Sequence, residues 1–180
     1  MTPETSHLRR ATAADVPALH ALIDASVHAL SAGFYTPAQV ESALQHLFGP
    51  DTQLIADGTY HVVEAGDALA AAGGWSRRRT LYGGDQAKTG PDPLLDPAVD
   101  PARIRAFFVH PAWARRGLAR LLFAECLAGA RAAGFRELEL VATLPGEPLY
   151  SALGFAADRR FAITLADGVE LPVVGMTRGV

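Results

Sequence analysis

The chain has one cysteine, Cys126, among its 180 residues. That excludes an internal disulfide and a Cys-rich zinc site, and no metal is expected. A basic excess is also missing, because the formal net charge is −3. Binding that works by neutralising phosphates draws on such an excess, so no nucleic-acid partner is expected. No apolar run reaches the roughly 18 residues that a membrane span needs. The opening MTPETSHLRR lacks the apolar core of a secretory signal. A cytoplasmic protein with no membrane partner is the default expectation. Neither G-x-x-x-x-G-K-[ST] nor a G-x-G-x-x-G after a strand occurs, which argues against a P-loop NTPase and a dinucleotide-binding Rossmann domain. What is present is apolar material, 49% of residues against 19% charged. That suffices for one buried core, and one domain spanning 1–180 is expected.

Hydrophobic spacing orders the elements. His7 to Arg10 reads as a short strand. Val16, Leu19, Leu22, Ile23 and Val27 recur at helical spacing and predict a helix from Asp15 to Leu30. Ser31 to Tyr35 breaks it. Thr36-Pro37 opens a second helix, with Thr as N-cap and Pro at the first position, ending near Gly49-Pro50. Thr59 to Ala65 and Ala68 to Ser76 read as a hairpin turned at Gly66-Asp67. From Arg77 to Pro101 glycines and prolines predict an irregular insertion, 79–101. Ile104 to Val109 is a strand stopped by Pro111. Gly117 to Ala133 is a helix, Glu137 to Val141 a strand, and Pro148 to Leu153 a short helix. Strands at Ala156–Leu165 and Val169–Arg178 close the chain around Asp167-Gly168. The predicted order is β-α-α-β-β-β-α-β-α-β-β, a mixed α/β domain.

The most informative stretch is Val109-His-Pro-Ala-Trp-Ala-Arg-Arg-Gly-Leu-Ala-Arg-Leu-Leu122. A strand ends, a basic loop follows and a helix starts at a glycine. The first N–H groups of a helix lack internal partners and sit at the positive end of its dipole, which suits phosphate. Gly117 and Ala119 leave room for a diphosphate, and Arg115, Arg116 and Arg120 add charge. An ordinary strand-to-helix turn with exposed arginines is the competing reading of these residues alone.

Four features in order extend it. They are Val109-x-Pro111, Arg-Arg-Gly117-Leu-Ala119-Arg-Leu-Leu122, Ala133-Gly134-Phe135 and Leu149-Tyr150-Ser-Ala-Leu-Gly154-Phe155. Together, over Ile104 to Phe155, they resemble the Gcn5-related N-acetyltransferase (GNAT) superfamily. The resemblance implies a GNAT-like mixed, mostly antiparallel sheet with a splayed central strand pair and flanking helices. It implies transfer of an acetyl group from acetyl-CoA to a primary amine by direct attack in a ternary complex. On that basis the N–H groups of Arg115, Arg116, Gly117, Leu118 and Ala119, with Arg120 nearby, hold the pyrophosphate. The pantetheine pairs along Phe107, Phe108 and Val109 like an added strand. Tyr150 protonates the departing thiolate.

The sequence departs from the family pattern at Ala114, where Gln or Arg is usual, at Ala119 for the second glycine, and at Thr143 for an Asn. The general base stays open among Glu64, His61, His110, Glu139 and water. Glu137 and Glu139 also read as a solvated strand face. Acceptor contacts are expected from Phe34, Tyr35, Trp75 and Tyr82, with Arg77 to Arg79 as a basic turn near them. The acceptor is an unidentified small molecule, peptide or protein, and a homodimer is an expectation. Cys126 reads as a buried structural thiol. The second functional reading is a non-catalytic acyl-CoA-binding sensor, motivated by the missing base and by Ala114.

Overall fold

The computed structural model describes residues 6–180. Of the opening decapeptide considered above for a leader, residues 1–5 lie outside the described residues. The chain runs β1 (Ser6–Arg10), a 3-10 turn (Ala13–Asp15), α1 (Val16–Leu30), α2 (Pro37–His46), α3 (Thr52–Ala56), β2 (Tyr60–Ala65) and β3 (Ala68–Ser76). It continues through β4 (Ala102–Val109), α4 (Leu118–Ala132), β5 (Glu137–Thr143), α5 (Glu147–Ala152), β6 (Ala156–Thr164) and β7 (Glu170–Gly179).

The helices follow from local chemistry. α1 buries Leu19, Leu22, Ile23 and Val27 on one stripe. α2 starts in a capping box, in which Thr36 Oγ1 accepts from Gln39 N at 3.2 Å and the Gln39 side chain accepts from Thr36 N at 2.9 Å. It ends at His46, short of the expected Gly49-Pro50. α4 buries Leu118, Leu122, Phe123, Cys126 and Ala130. It stops where Gly134 adopts φ +89°, a conformation costly for other residues. α3 was not expected. Five residues are too few for a hydrophobic period, so only its cap, Asp51, marks it in the sequence.

The seven strands form one sheet in the order β1-β2-β3-β4-β5-β7-β6. Every neighbouring pair is antiparallel except β4 and β5, which are parallel. These two pair only at Ala102–Leu138 and Arg103–Glu139 and then part. This is the GNAT-like sheet with a splayed central pair. A bulge sets the divergence: Ala106 has φ 56°, and the β3–β4 register shifts between Ala72 and Gly74. Gly73 accommodates it, because a Cβ there would meet the Phe107 ring at 2.8 Å.

β3 is small and apolar because α1 packs on one face of the sheet and α4 on the other. One core gathers Trp75, Phe123, Phe135, Leu138 and Met176 on the α4 side. Another gathers Ile23, Val27, Val40, Leu171 and Val173 on the α1–α2 side. The 79–101 stretch carries a 3-10 turn at Asp85–Ala87 and a bridge between Arg78 and Leu94. It tucks Leu95 into the core. Among the described residues no helix is long and apolar enough to cross a membrane.

Candidate active site

The parting of β4 and β5 opens a cleft of about 840 Å³. Its walls include Ser26, Leu30 and Phe34 from the α1 side and Trp113, Gly117 and Arg120 from the start of α4. α1 and α4 cover opposite faces, so the cleft passes through the plane of the sheet. β4 lines it from Ile104 to Val109. His110 N donates to Ala70 O on β3 at 2.9 Å. Strand groups alternate, so the amides of Phe107 and Val109 point away from β3, toward the open edge.

At the α4 end the backbone is shaped for an anion. Arg115 (φ 62°) and Gly117 (φ 83°) both lie in the left-handed region. Backbone of this kind turns successive N–H groups toward one concave side. No side chain caps α4, so its first N–H groups keep their capacity to donate. Arg115, Gly117, Leu118, Ala119 and Arg120 all line the cleft. Arg116 does not: its guanidinium lies 4.7 Å from the Trp113 ring centroid and stacks there. The side-chain charge at this end therefore comes from Arg115 and Arg120.

Tyr150, on α5, reaches the same cleft. Its ring meets Phe107 and Phe155 edge-on at centroid distances of 6.2 and 5.9 Å. Arg178 fixes this corner, donating to Leu153 O and lying over Phe155 and Phe123. Burial pushes the phenol well above its usual range, so the hydroxyl holds its proton.

Of the four aromatic residues expected at the acceptor, two reach the cleft. Phe34, half exposed, and Tyr82, beside Phe161, both line it. Tyr35 does not. It is buried, donates to Pro172 O at 2.6 Å and accepts from Leu144 N at 2.9 Å, tying β7 to the β5–α5 loop. Trp75 does not either. It is buried against Phe135 and over Gly129, whose missing side chain makes room for the indole. Trp75 instead edges a separate hollow of about 430 Å³ with Arg77, His61 and Glu125. Arg78, from the same basic turn, is engaged by Asp57 at 2.7 Å.

None of the four side-chain base candidates lines the cleft. Glu64 pairs with Arg9 at 2.6 Å near the sheet edge. Glu139 pairs with Arg103, so it is not the freely solvated residue the alternation suggested, whereas Glu137 is exposed. His61 is buried with its Nδ1 unpartnered, and burial lowers its pKa. His110 caps the turn after β4, its Nδ1 accepting from Ala112 N at 3.2 Å. Cys126 is fully buried, and burial raises its pKa beyond any reactive range.

The sequence reading missed what holds the cleft wall that Leu81 and Tyr82 form. Arg105, on β4, is buried and donates to Asp51 Oδ2 at 2.9 Å and to Thr80 O at 2.9 Å. It also donates to Gly83 O. Burial draws its pKa down against the pull of Asp51. Asp51 Oδ1 caps α3 at Gln53 N (3.1 Å) and Leu54 N (3.2 Å) and pairs with Lys88. One buried carboxylate thus joins β4, α3 and the insertion that carries Leu81 and Tyr82 to the cleft.

Residues 97–171 match the acetyltransferase (GNAT) domain family. No curated protein matches the sequence. Solved structures share the fold across the chain. A GCN5-related N-acetyltransferase from Rhodopseudomonas palustris is 20% identical with a TM-score of 0.71, covering 100% of this chain and 99% of that one. The PaiA N-acetyltransferase of Thermoplasma acidophilum, solved with coenzyme A, is 12% identical with a TM-score of 0.66, covering 98% and 99%. Salmonella typhimurium yncA, solved with its cofactor acetyl-CoA, is 17% identical with a TM-score of 0.61, covering 97% and 93%. The domain match spans β4's open edge, the α4 loop and α5, while the fold likeness spans the whole chain, so the chain carries a segment similar to the acetyltransferase (GNAT) domain within a fold that it shares with solved N-acetyltransferases.

Proposed function

We propose that the protein transfers an acetyl group from acetyl-CoA to an amine acceptor by direct attack within a ternary complex. One observation carries the reading. A single cleft joins the N–H-rich start of α4, the open edge of β4 and Tyr150, and continues to a separate wall on the α1 side. Donor and acceptor can therefore meet at β4 from opposite sides, with no relay through an enzyme nucleophile.

In this reading the backbone from Arg115 to Ala119 holds the pyrophosphate, assisted by Arg115 and Arg120. The edge amides of Phe107 and Val109 hold the pantetheine, and one of them stabilises the carbonyl oxygen as charge builds on it. The acceptor nitrogen attacks the carbonyl carbon, the C–N bond forms and the C–S bond breaks. Tyr150 gives its proton to the leaving sulfur and recovers one from solvent, while the proton lost by nitrogen leaves through water. Burial keeps the phenol protonated, so a proton is available to the thiolate, and the same burial makes the phenol a weaker acid. The acceptor is a small molecule or a peptide, and a cytoplasmic setting accords with this reading.

A second reading, a non-catalytic acyl-CoA sensor, draws support from the absence of Asp, Glu and His from the cleft lining among the described residues. Calorimetric titration with acetyl-CoA, followed by thiol release with an amine panel, separates the two. Saturable binding with amine-dependent thiol release is expected. Binding without release from any amine establishes the sensor, and no binding by folded protein overturns both.

A further inference from the structure

We infer that the acceptor site selects an amine that is largely uncharged at neutral pH and is carried on an aromatic or branched apolar body. This rests on the acetyl-transfer reading above and names its substrate class. The acceptor wall is made by Leu30, Phe34, Phe48, Leu81, Tyr82 and Phe108, with the hydroxyls of Ser26 and Ser31 as polar points. Phe48 and Phe108 meet edge-on at 6.0 Å, giving a firm aromatic floor. The charged residues lining the whole cleft are Arg105, Arg115 and Arg120, with no carboxylate among the described residues. Arg105 is already engaged by Asp51, Thr80 and Gly83, so it offers no free charge to an anionic acceptor. A cationic acceptor finds positive neighbours and no counter-ion, and burying an unpaired ammonium is strongly unfavourable.

The chemistry of attack points the same way. Only a neutral amine is nucleophilic. A lysine-like amine, with a pKa of about 10.4, is neutral in roughly one molecule in a few thousand at pH 7, whereas an α-amine of pKa about 8 is neutral in roughly one in ten. With no side-chain base lining the cleft, the acceptor has to arrive deprotonated or lose its proton to water. The titratable groups that face it are Tyr82, Tyr150 and the three guanidiniums. No carboxylate or imidazole lines the cleft among the described residues, so the rate between pH 6 and 9 follows the acceptor's own ionisation. The cleft, about 840 Å³ in all, also holds the acyl donor's arm, which leaves room for one or two rings.

The experiment compares aniline, phenylalaninamide, benzylamine and spermidine as acceptors by thiol release at saturating acetyl-CoA, from pH 6 to 9. The expected kcat/KM at pH 7 is at least about 100-fold higher for phenylalaninamide or aniline than for spermidine. The aniline profile is expected to be flat, and the benzylamine profile to rise about tenfold per pH unit. Phe34→Asp, which adds a carboxylate to the wall at a half-exposed position, is expected to move the preference at least about tenfold toward spermidine. Spermidine as the best acceptor, or an aniline profile with an enzyme ionisation between pH 6 and 8, overturns the inference while leaving acetyl transfer standing. Binding of acetyl-CoA with no transfer to any of the four overturns the transfer reading and this inference with it.

Discussion

The two ends of the cleft are built from different material. The end where the proposal places the acyl donor is main chain: two left-handed residues, Arg115 and Gly117, an uncapped helix start and the free edge of β4. The other end, where the proposal places the acceptor, is side chain, held by a buried ion-pair cluster around Asp51 and Arg105 and surfaced with aromatic rings. Main-chain recognition tolerates sequence change so long as the dihedrals survive. Ala at 114 and 119 is compatible with this, because the left-handed dihedrals fall on Arg115 and Gly117. Side-chain recognition has no such tolerance, so in the proposed reading specificity is carried by the end with the weaker sequence signature.

The largest effect is expected where the acceptor end is tied down. Asp51→Ala leaves Arg105 and Lys88 without their carboxylate and uncaps α3. Removing one partner of a buried pair costs about 3–5 kcal/mol. Urea unfolding is expected to show a loss of that size, with the acceptor KM rising in whatever protein remains folded. A loss under 1 kcal/mol would mean that the insertion is held some other way.

Next in size is Tyr150→Phe, which tests the point where the two ends meet. The ring contacts with Phe107 and Phe155 need no hydroxyl, so the site should keep its shape. Turnover is expected to fall about 100-fold, the lower range for loss of a general acid. Acetyl-CoA affinity by calorimetry is expected to stay within about twofold. Unchanged single-turnover rates would remove Tyr150 as the proton donor.

The difference between the ends also explains what the sequence made legible. Secondary elements with long periods, such as α1 and α4, and the Gly117 helix start are written in local patterns. So is the turn before α4, because a backbone of this shape leaves glycine and small-residue signatures. The acceptor end was half legible. Phe34 and Tyr82 reach the cleft, but Tyr35 and Trp75 are core residues, and no local pattern distinguishes an aromatic wall from an aromatic core. Asp51 looks like an ordinary helix cap in sequence. Its meeting with Arg105, 54 positions away, is a tertiary fact. Glu139 looked solvated for the same reason, because its partner Arg103 lies on a neighbouring strand.

A third cluster, remote from both ends, gives a control. Arg9 holds Asp15 at 2.7 Å and Glu64 at 2.6 Å on the β1–β2 side of the sheet. The guanidinium lowers the Asp15 pKa to about 2 from 3.8. Because the folded value lies below the unfolded one, the stabilisation is present above about pH 4 and is lost as pH falls toward 2. It amounts to about 2 kcal/mol, since Asp15 is buried while Arg9 is only partly so. Arg9→Met is expected to flatten the acid limb of a pH–stability curve and to leave acetyl-CoA affinity and acceptor preference as they are. A change in either would mean that the sheet edge communicates with the cleft.

The smallest effect probes the donor end by its dihedrals alone. A Cβ at Gly117 meets nothing within 4 Å, so Gly117→Ala adds no clash. What it adds is the strain of φ 83° on a residue with a side chain, about 1 kcal/mol. If the loop keeps its shape, stability falls by about that amount and acetyl-CoA affinity is nearly unchanged. If it relaxes to a right-handed conformation, the N–H groups of the α4 start turn away, and the affinity falls about fivefold while stability holds. Main-chain recognition predicts that the strain appears in one measurement or the other and that Arg115→Ala costs less affinity than the relaxed loop does. The reverse order would show that the donor end, like the acceptor end, is governed by side chains.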